Sequence, residues 1–412
     1  MRRLALLLTI VLIAAACGGD TTPSSTTTTR VATTSSVPLI AETSWRQSAV
    51  LGSDARGLLY GVAAAGQIFG PSHAGAVAVG NEDFAEDPNN VDATTIEVPT
   101  IWTSRDGGSW DRHPHDDDLF PAPGRIRDVI PLDPGYLAVG TAQGDAAAWL
   151  SDDGFTWERI RDGDFNTVTG DSSSVSSGAE IVAVAPVAGT GFVGVGSDGL
   201  SPAVWISGDG RTWQRVPQDP VAFAGGAQTM FDITTSATGI VAVGTDAGSG
   251  AVWTSPDGVD WTRVPDPDEL FARSPVFSVT NTEQGIFALG TRQDDAGDIL
   301  AATIWRSDDG VQWSLLPDSD LTTGRHVLTG LAIVDEEIYA LGYSIVDGGL
   351  VPLALVTPDG IDWSRVEDAA VTQESGFGAI FDVTDALGRL LAVGLSGRNV
   401  GAWRTETVFR DN

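Results

Sequence analysis

Asp128, Asp232 and Asp382 each stand twelve residues before a glycine that ends a short apolar run: Gly140, Gly244 and Gly394. Ser278 and Gly330 hold the same place before Gly290 and Gly342. Carboxylates repeated at one register converge when their segments are arranged in a ring. Converging carboxylates either bind a cation, Ca²⁺ being the candidate, or share protons. The competing expectation is that each bonds the backbone of a neighbouring segment. A second cluster is His113-Pro114-His115-Asp116-Asp117-Asp118, in which His113, His115 and Asp116 have the residue types of a transition-metal site. A third is the stretch 81–99, which carries Glu82, Asp83, Glu86, Asp87, Asp92 and Glu97 and reads as a solvated acidic loop. Six further carboxylates, Asp106, Asp153, Asp209, Asp257, Asp309 and Asp359, recur in Ser/Thr-x-Asp-Gly-x-x-Trp. Six equivalent acids spread along a repeat cannot meet at one substrate. They read as hairpin residues, with Gly supplying positive φ and Asp accepting from turn amides.

The elements that must hold these residues follow from the tryptophans. Five pairs lie eight residues apart: Trp102 and Trp110, Trp149 and Trp157, Trp205 and Trp213, Trp253 and Trp261, Trp305 and Trp313. A sixth pair has Leu355 in place of the first Trp, before Trp363. Upstream of each lies an apolar run ending in Gly, such as Leu137-Ala138-Val139-Gly140, and upstream of that a further β-rich segment. One unit is therefore four antiparallel strands with an Asp-Gly hairpin between the last two. Self-similar units of this kind predict an all-β, seven-bladed β-propeller. The seventh unit runs from Phe381 to Trp403 and lacks a fourth strand, while Ser44-Trp45-Arg46-Gln47 resembles one. The N-terminal strand is expected to complete blade seven, removing two exposed sheet edges.

Ahead of the propeller, Arg2 and Arg3, an apolar run and Ala14-Ala15-Ala16 read as a signal peptide over residues 1–16. Cys17, the only cysteine, follows directly and resembles a bacterial lipobox, which implies cleavage before Cys17 and lipid attachment there. Residues 17–41 are rich in Thr and Ser and read as a flexible tether, leaving 42–412 as the propeller. The expected location is outside the cell, anchored by lipid to the outer face of the membrane. The formal charge is −32, with 23 basic residues that are all Arg. Such a surface disfavours nucleic acid and favours cations or basic partners.

The repeated Ser/Thr-x-Asp-Gly-x-x-Trp resembles the Asp-box, or bacterial neuraminidase repeat, of sialidase-like propellers, over about residues 42–412. The resemblance implies a ligand face opposite the Asp boxes, built from strand-two-to-three loops and blade connections. It also implies, for a sialidase, three arginines on the substrate carboxylate, a Tyr nucleophile paired with Glu, and an Asp acid/base. Here Phe-Arg-Ile-Pro is replaced by Gly124-Arg125-Ile126-Arg127, and of four tyrosines only Tyr343 is expected to reach that face. The chain is thus expected to be a non-catalytic binding or scaffold module for a protein or glycan. The alternative is a glycoside hydrolase, which needs two carboxyls at a suitable separation.

Overall fold

Small and β-branched residues along each second strand let sheets pack closely, and they do so in seven sheets. The computed structural model describes residues 39–50, 56–65, 73–85, 95–168, 178–317, 323–347, 349–366, 378–386, 388–397 and 399–411. Seven antiparallel blades form a propeller. Their first strands are Gly57–Ala64, Gly124–Pro131, Ala179–Val187, Gln228–Ser236, Val276–Thr282, His326–Val334 and Gly378–Asp385. In blade seven the order runs from the N-terminal strand Leu39–Gln47 to Asn399–Asp411, Leu390–Ser396 and Gly378–Asp385. The expected closure is therefore present, and Trp45 is buried in one cluster with Trp403. Blade one carries a fifth strand that the repeat did not announce: Ala49–Val50 runs parallel to Ser109–Arg112. All seven blades lie in the unit Glu42–Val408; the described residues 39–41 and 409–411 belong to a separate unit and are extended.

The apolar content is spent between blades. Each core cluster mixes two neighbouring blades, as when Val77, Val79 and Ile101 of blade one pack with Ile126, Val129 and Trp149 of blade two. The ring closes in the same way, with Leu391 and Val393 of blade seven against Leu59, Val62 and Trp102 of blade one. Burial of these side chains contributes roughly 1.5–3 kcal/mol each before entropy is charged against it. No helix among the described residues is long and apolar enough to cross a membrane. Residues 1–38, which include the signal segment, Cys17 and most of the tether, lie outside the described residues, as do Glu86, Asp87 and Asp92.

The Asp-Gly turns are structural. In blade four, Asp257 Oδ1 accepts from the amides of Val259 and Asp260 at 2.9 and 3.0 Å, and Ser255 Oγ accepts from Gly258 N at 2.8 Å. The Trp261 indole then donates to Gly258 O at 2.8 Å. The same bonds recur at Asp209 and Asp309. Amide donation holds Asp106, Asp209, Asp257, Asp309 and Asp359 below the usual carboxylate range. The glycine is required twice over. At Gly360 φ is +74°, and a Cβ there would lie 2.4 Å from the Phe287 ring of the preceding blade.

Candidate functional site

Each first strand carries a β-bulge at the same place. The pairing to the second strand skips one residue: Tyr60, Arg127, Val182, Phe231, Phe277, Thr329 and Phe381. Regular strands alternate their side chains between two faces. A bulge sets two consecutive residues against one partner and re-aims them. Consecutive pairs accordingly line one cavity of about 370 Å³: Arg127 with Asp128, Phe231 with Asp232, and Phe381 with Asp382. Tyr60, Val182, Phe277, Thr329 and Tyr343 complete most of its wall. The bulges lie in the half of each first strand nearer the blade connections. Strand direction puts those connections, and the strand-two-to-three loops, at the end opposite the Asp-Gly turns.

The three aspartates do converge on this cavity, and each also bonds a neighbouring blade. Asp128 Oδ2 accepts from Val184 N of blade three at 2.9 Å, and Asp232 Oδ2 from Val279 N of blade five at 2.7 Å. Asp382 Oδ2 accepts from Val62 N of blade one at 2.8 Å, across the ring closure. Their other oxygens accept from their own following amides, Val129 and Ile233 at 2.7 Å each, and Val383. Blade six uses a hydroxyl instead, Thr329 Oγ1 donating to Ile380 O at 2.8 Å. The residue that receives each aspartate's blade is small: Ala183, Ser278 or Gly61. At Gly61 a Cβ would meet Arg127 O and the Asp128 Cα at 3.1 Å, so the bare backbone allows the two first strands to approach.

Burial is the main cause that pushes Asp128 up to about 6 and Asp232 to about 7; it also raises Asp382 well above the usual range. Repulsion adds to this, from Asp128 on Asp232 and from both on Asp382. The amides oppose it. The carboxyl groups lie deep in the ring yet keep partial access to the channel.

The residues do not fit a Ca²⁺ site. Such an ion takes six to eight oxygen ligands, and among the described residues no three His, Cys, Asp or Glu side chains are placed to hold a metal. Both oxygens of Asp128 and of Asp232 are already accepting amides. The His113, His115 and Asp116 cluster does not assemble either. The His113 ring bonds Pro114 O at 2.8 Å and stacks edge-on to Phe120, His115 Nε2 bonds Asp117 at 2.9 Å, and Asp116 Oδ1 accepts the amides of Asp118 and Leu119. The acidic stretch is not a solvated loop where it is described: 81–85 and 95–99 belong to strands Ala76–Ala85 and Thr95–Ser104, Glu82 is buried and pairs with Arg112, and Asp83 accepts from Asn81.

Sequence reading missed the rings. Phe231–Phe277 centroids are 5.7 Å apart, Tyr60–Phe381 6.4 Å and Tyr343–Phe381 6.1 Å. The signal was present, because Phe231 and Phe381 immediately precede the aspartates. Strict alternation would have sent them to the opposite face. Tyr343 lines the cavity from within the strand Glu337–Val346 rather than from a loop, and Tyr60, which was not expected there, joins it. Of the arginines, Arg127 lines the cavity with its guanidinium 4.5 Å from the Tyr60 ring centre. Arg125 is spent on a two-bond pair with Glu180, at 2.7 and 3.1 Å. Among the described residues, Arg127 is the one arginine lining this cavity, where the resemblance implies three.

No protein-family model matches the chain, and no curated protein matches it. Solved structures do. Sqt1 from Chaetomium thermophilum is 14% identical, with 84% of this chain and 82% of that one covered and a TM-score of 0.50. The extracellular domain of a protein described as a hybrid two-component system from B. thetaiotaomicron is 10% identical, with 88% of this chain covered and a TM-score of 0.50. This chain spans only 39% of that one. A protein of unknown function from Dyadobacter fermentans is 14% identical, with 88% and 99% covered and a TM-score of 0.47. At these identities the likeness is one of fold alone.

Proposed function

We propose that the chain is a non-catalytic binding module of the Asp-box type, exported and held by lipid on Cys17 to the outer face of the membrane. Its ligand, a small molecule or a group presented by a protein or glycan, enters the channel cavity from the end opposite the Asp-Gly turns. The observation that carries this reading is the bulge ring: seven equivalent positions direct unlike side chains into one aromatic-lined cavity. Its volume of about 370 Å³ sits near the lower end of the roughly 300–1,000 Å³ typical of ligand pockets. The carboxyls there are occupied as blade latches, which suits a fixed wall better than a moving proton. The test is a glycan-array and small-molecule thermal-shift screen of the purified chain, run beside Tyr343→Leu. A ligand that stabilises the wild type and loses its effect in the variant supports the reading. A ligand that binds both equally places the site elsewhere.

A glycoside hydrolase is the second reading, favoured by the carboxyls raised toward neutrality in a shared cavity. An acid of this kind can donate a proton near pH 7. Turnover of a chromogenic glycoside that disappears in Asp232→Asn, with folding retained, would replace the first reading with this one.

A further inference from the structure

The wall of the channel cavity narrows what it takes. Five rings line it, Tyr60, Phe231, Phe277, Tyr343 and Phe381, with Phe381 in contact with both tyrosines. Three carboxyls, Asp128, Asp232 and Asp382, line the same cavity. Against them the lining contains one cation, Arg127, whose guanidinium lies over the Tyr60 ring and 3.9 Å from Glu180, with its Nε in no hydrogen bond. Among the described residues, no salt bridge reaches Asp128, Asp232 or Asp382. The cavity is therefore rich in aromatic rings and acids and short of positive charge.

The geometry points to a small organic cation, an alkylammonium or quaternary ammonium group, as the ligand of this cavity. It would sit on the ring faces with the aspartates as counter-charge. This rests on the reading that the cavity is the binding site. Ring faces carry the negative end of the aromatic quadrupole and attract such cations, more strongly when water is excluded. An anion would meet five rings and three acids at once, with one arginine, Arg127, in its favour. The formal charge of −32 raises the local concentration of cations and repels anions before any contact is made.

Protonation makes the idea measurable. The groups that face the ligand are Asp128, Asp232, Asp382, Arg127, Tyr60 and Tyr343, with Arg125, Glu97 and Glu180 behind Arg127. Burial and mutual repulsion raise the aspartates, so part of the set is protonated near neutral pH. A bound cation favours the ionised forms. Binding then releases protons and tightens as pH rises from 5 to 8.

The experiment is titration calorimetry of the full chain with choline, butylammonium and N-acetyl-lysine methylamide, and with butyrate and galactose as anionic and neutral counterparts. At least one cation is expected to bind, about tenfold or more tightly at pH 8 than at pH 5, with proton release seen as a buffer-dependent heat. Binding of the lysine derivative points to a side chain on a partner protein; binding of choline or butylammonium alone points to a free amine. Phe381→Leu is expected to weaken the cation about 5- to 30-fold, which is about 1–2 kcal/mol of cation–π energy. Tyr343→Leu, which touches no latch, supplies the same test if the first variant folds poorly. Binding of butyrate or galactose in place of every cation overturns the inference and leaves the binding reading standing. Cation affinity that is unchanged by pH or by both ring variants also overturns it. Failure of all five probes sinks the inference and counts against the cavity as a binding site.

Discussion

Replacing Asp232 by Ala should destabilise the propeller most in mild acid and least in mild alkali. Two effects set the size. First, the amides of Ile233 and Val279 lose their acceptor, and both residues are buried, at 6% and 3% exposed. Leaving such donors unmet costs about 1–3 kcal/mol. Water from the channel can reach this position, so about 1 kcal/mol is expected. Second, the carboxyl is raised from an ordinary 3.8 to about 7 in the folded chain. That corresponds to roughly 4 kcal/mol between the protonated and ionised limits. Access to the channel discounts it to about 2 kcal/mol. A group raised on folding adds stability that is fully present below its unfolded value and is lost as pH climbs through its folded value. The wild type therefore enjoys this contribution at pH 4.5 and has lost it by pH 8.5. The variant never has it. Urea unfolding of both proteins, with coincident fluorescence and circular dichroism transitions as the two-state check, should give a difference of about 3 kcal/mol at pH 4.5 and about 1 kcal/mol at pH 8.5. Relief of repulsion on Asp382 in the variant acts in the same direction. A difference that grows with pH would refute the argument, because it would mean the carboxylate is stabilised as an anion in the fold.

Three further outcomes follow from the same framework. Trp45→Ala should cost about 3–5 kcal/mol in urea unfolding, as for a core tryptophan, because the N-terminal strand closes blade seven; a loss under 1 kcal/mol would mean that strand does not close the ring. Asp257→Ala should cost about 1 kcal/mol at pH 7 through its two turn amides. Its pKa is lowered on folding, so that cost should fade as pH drops below the usual carboxylate value, the reverse of Asp232; a pH-independent cost would refute the turn assignment. Gly360→Ala should destabilise by about 2 kcal/mol or more through its left-handed φ and the Phe287 ring, and Phe287→Ala in the same chain should recover part of the Gly360 penalty if the contact is the cause.

Much of this molecule was legible because its fold is written seven times. Two tryptophans eight apart with an Asp-Gly between them can only be the two sides of a hairpin. The run of Val, Ala and Gly before them can only be a tightly packed strand. Repetition also said that the six turn aspartates are not a catalytic set, and their amide bonds agree. The register of Asp128, Asp232 and Asp382 was readable for the same reason. The equivalent positions in blades one and three were not. A long connection after Ala64 and one extra residue before Gly196 break the count, and only strand pairing identifies Gly61 and Ala183. The aromatic wall was hidden by the bulge itself, since period-two reading assigns Phe381 and Asp382 to opposite faces.

That bulge explains how a repeat can build a site at all. A perfectly repeated ring presents seven identical side chains to its axis, which suits no ligand lacking the same symmetry. Here the bulge gives each blade two inward positions with different duties. The second is constrained by its neighbour: it is an aspartate that takes the next blade's amide, or a residue small enough to let the strands approach. The first differs around the ring, from Arg127 through Val182 and Phe231 to Phe381, and carries such a duty at Thr329, whose Oγ1 donates to Ile380 O of the next blade. Outside blade six, where Thr329 is itself the latch, stability is thereby assigned to one residue and specificity to the one before it. A change at Phe231, Phe277 or Phe381 can then alter what the cavity accepts at little cost to closure, whereas a change at Asp128, Asp232 or Asp382 alters both. Comparing unfolding energies and ligand affinities across those two sets separates the duties. If the aromatic positions prove as costly to the fold as the latches, the division fails.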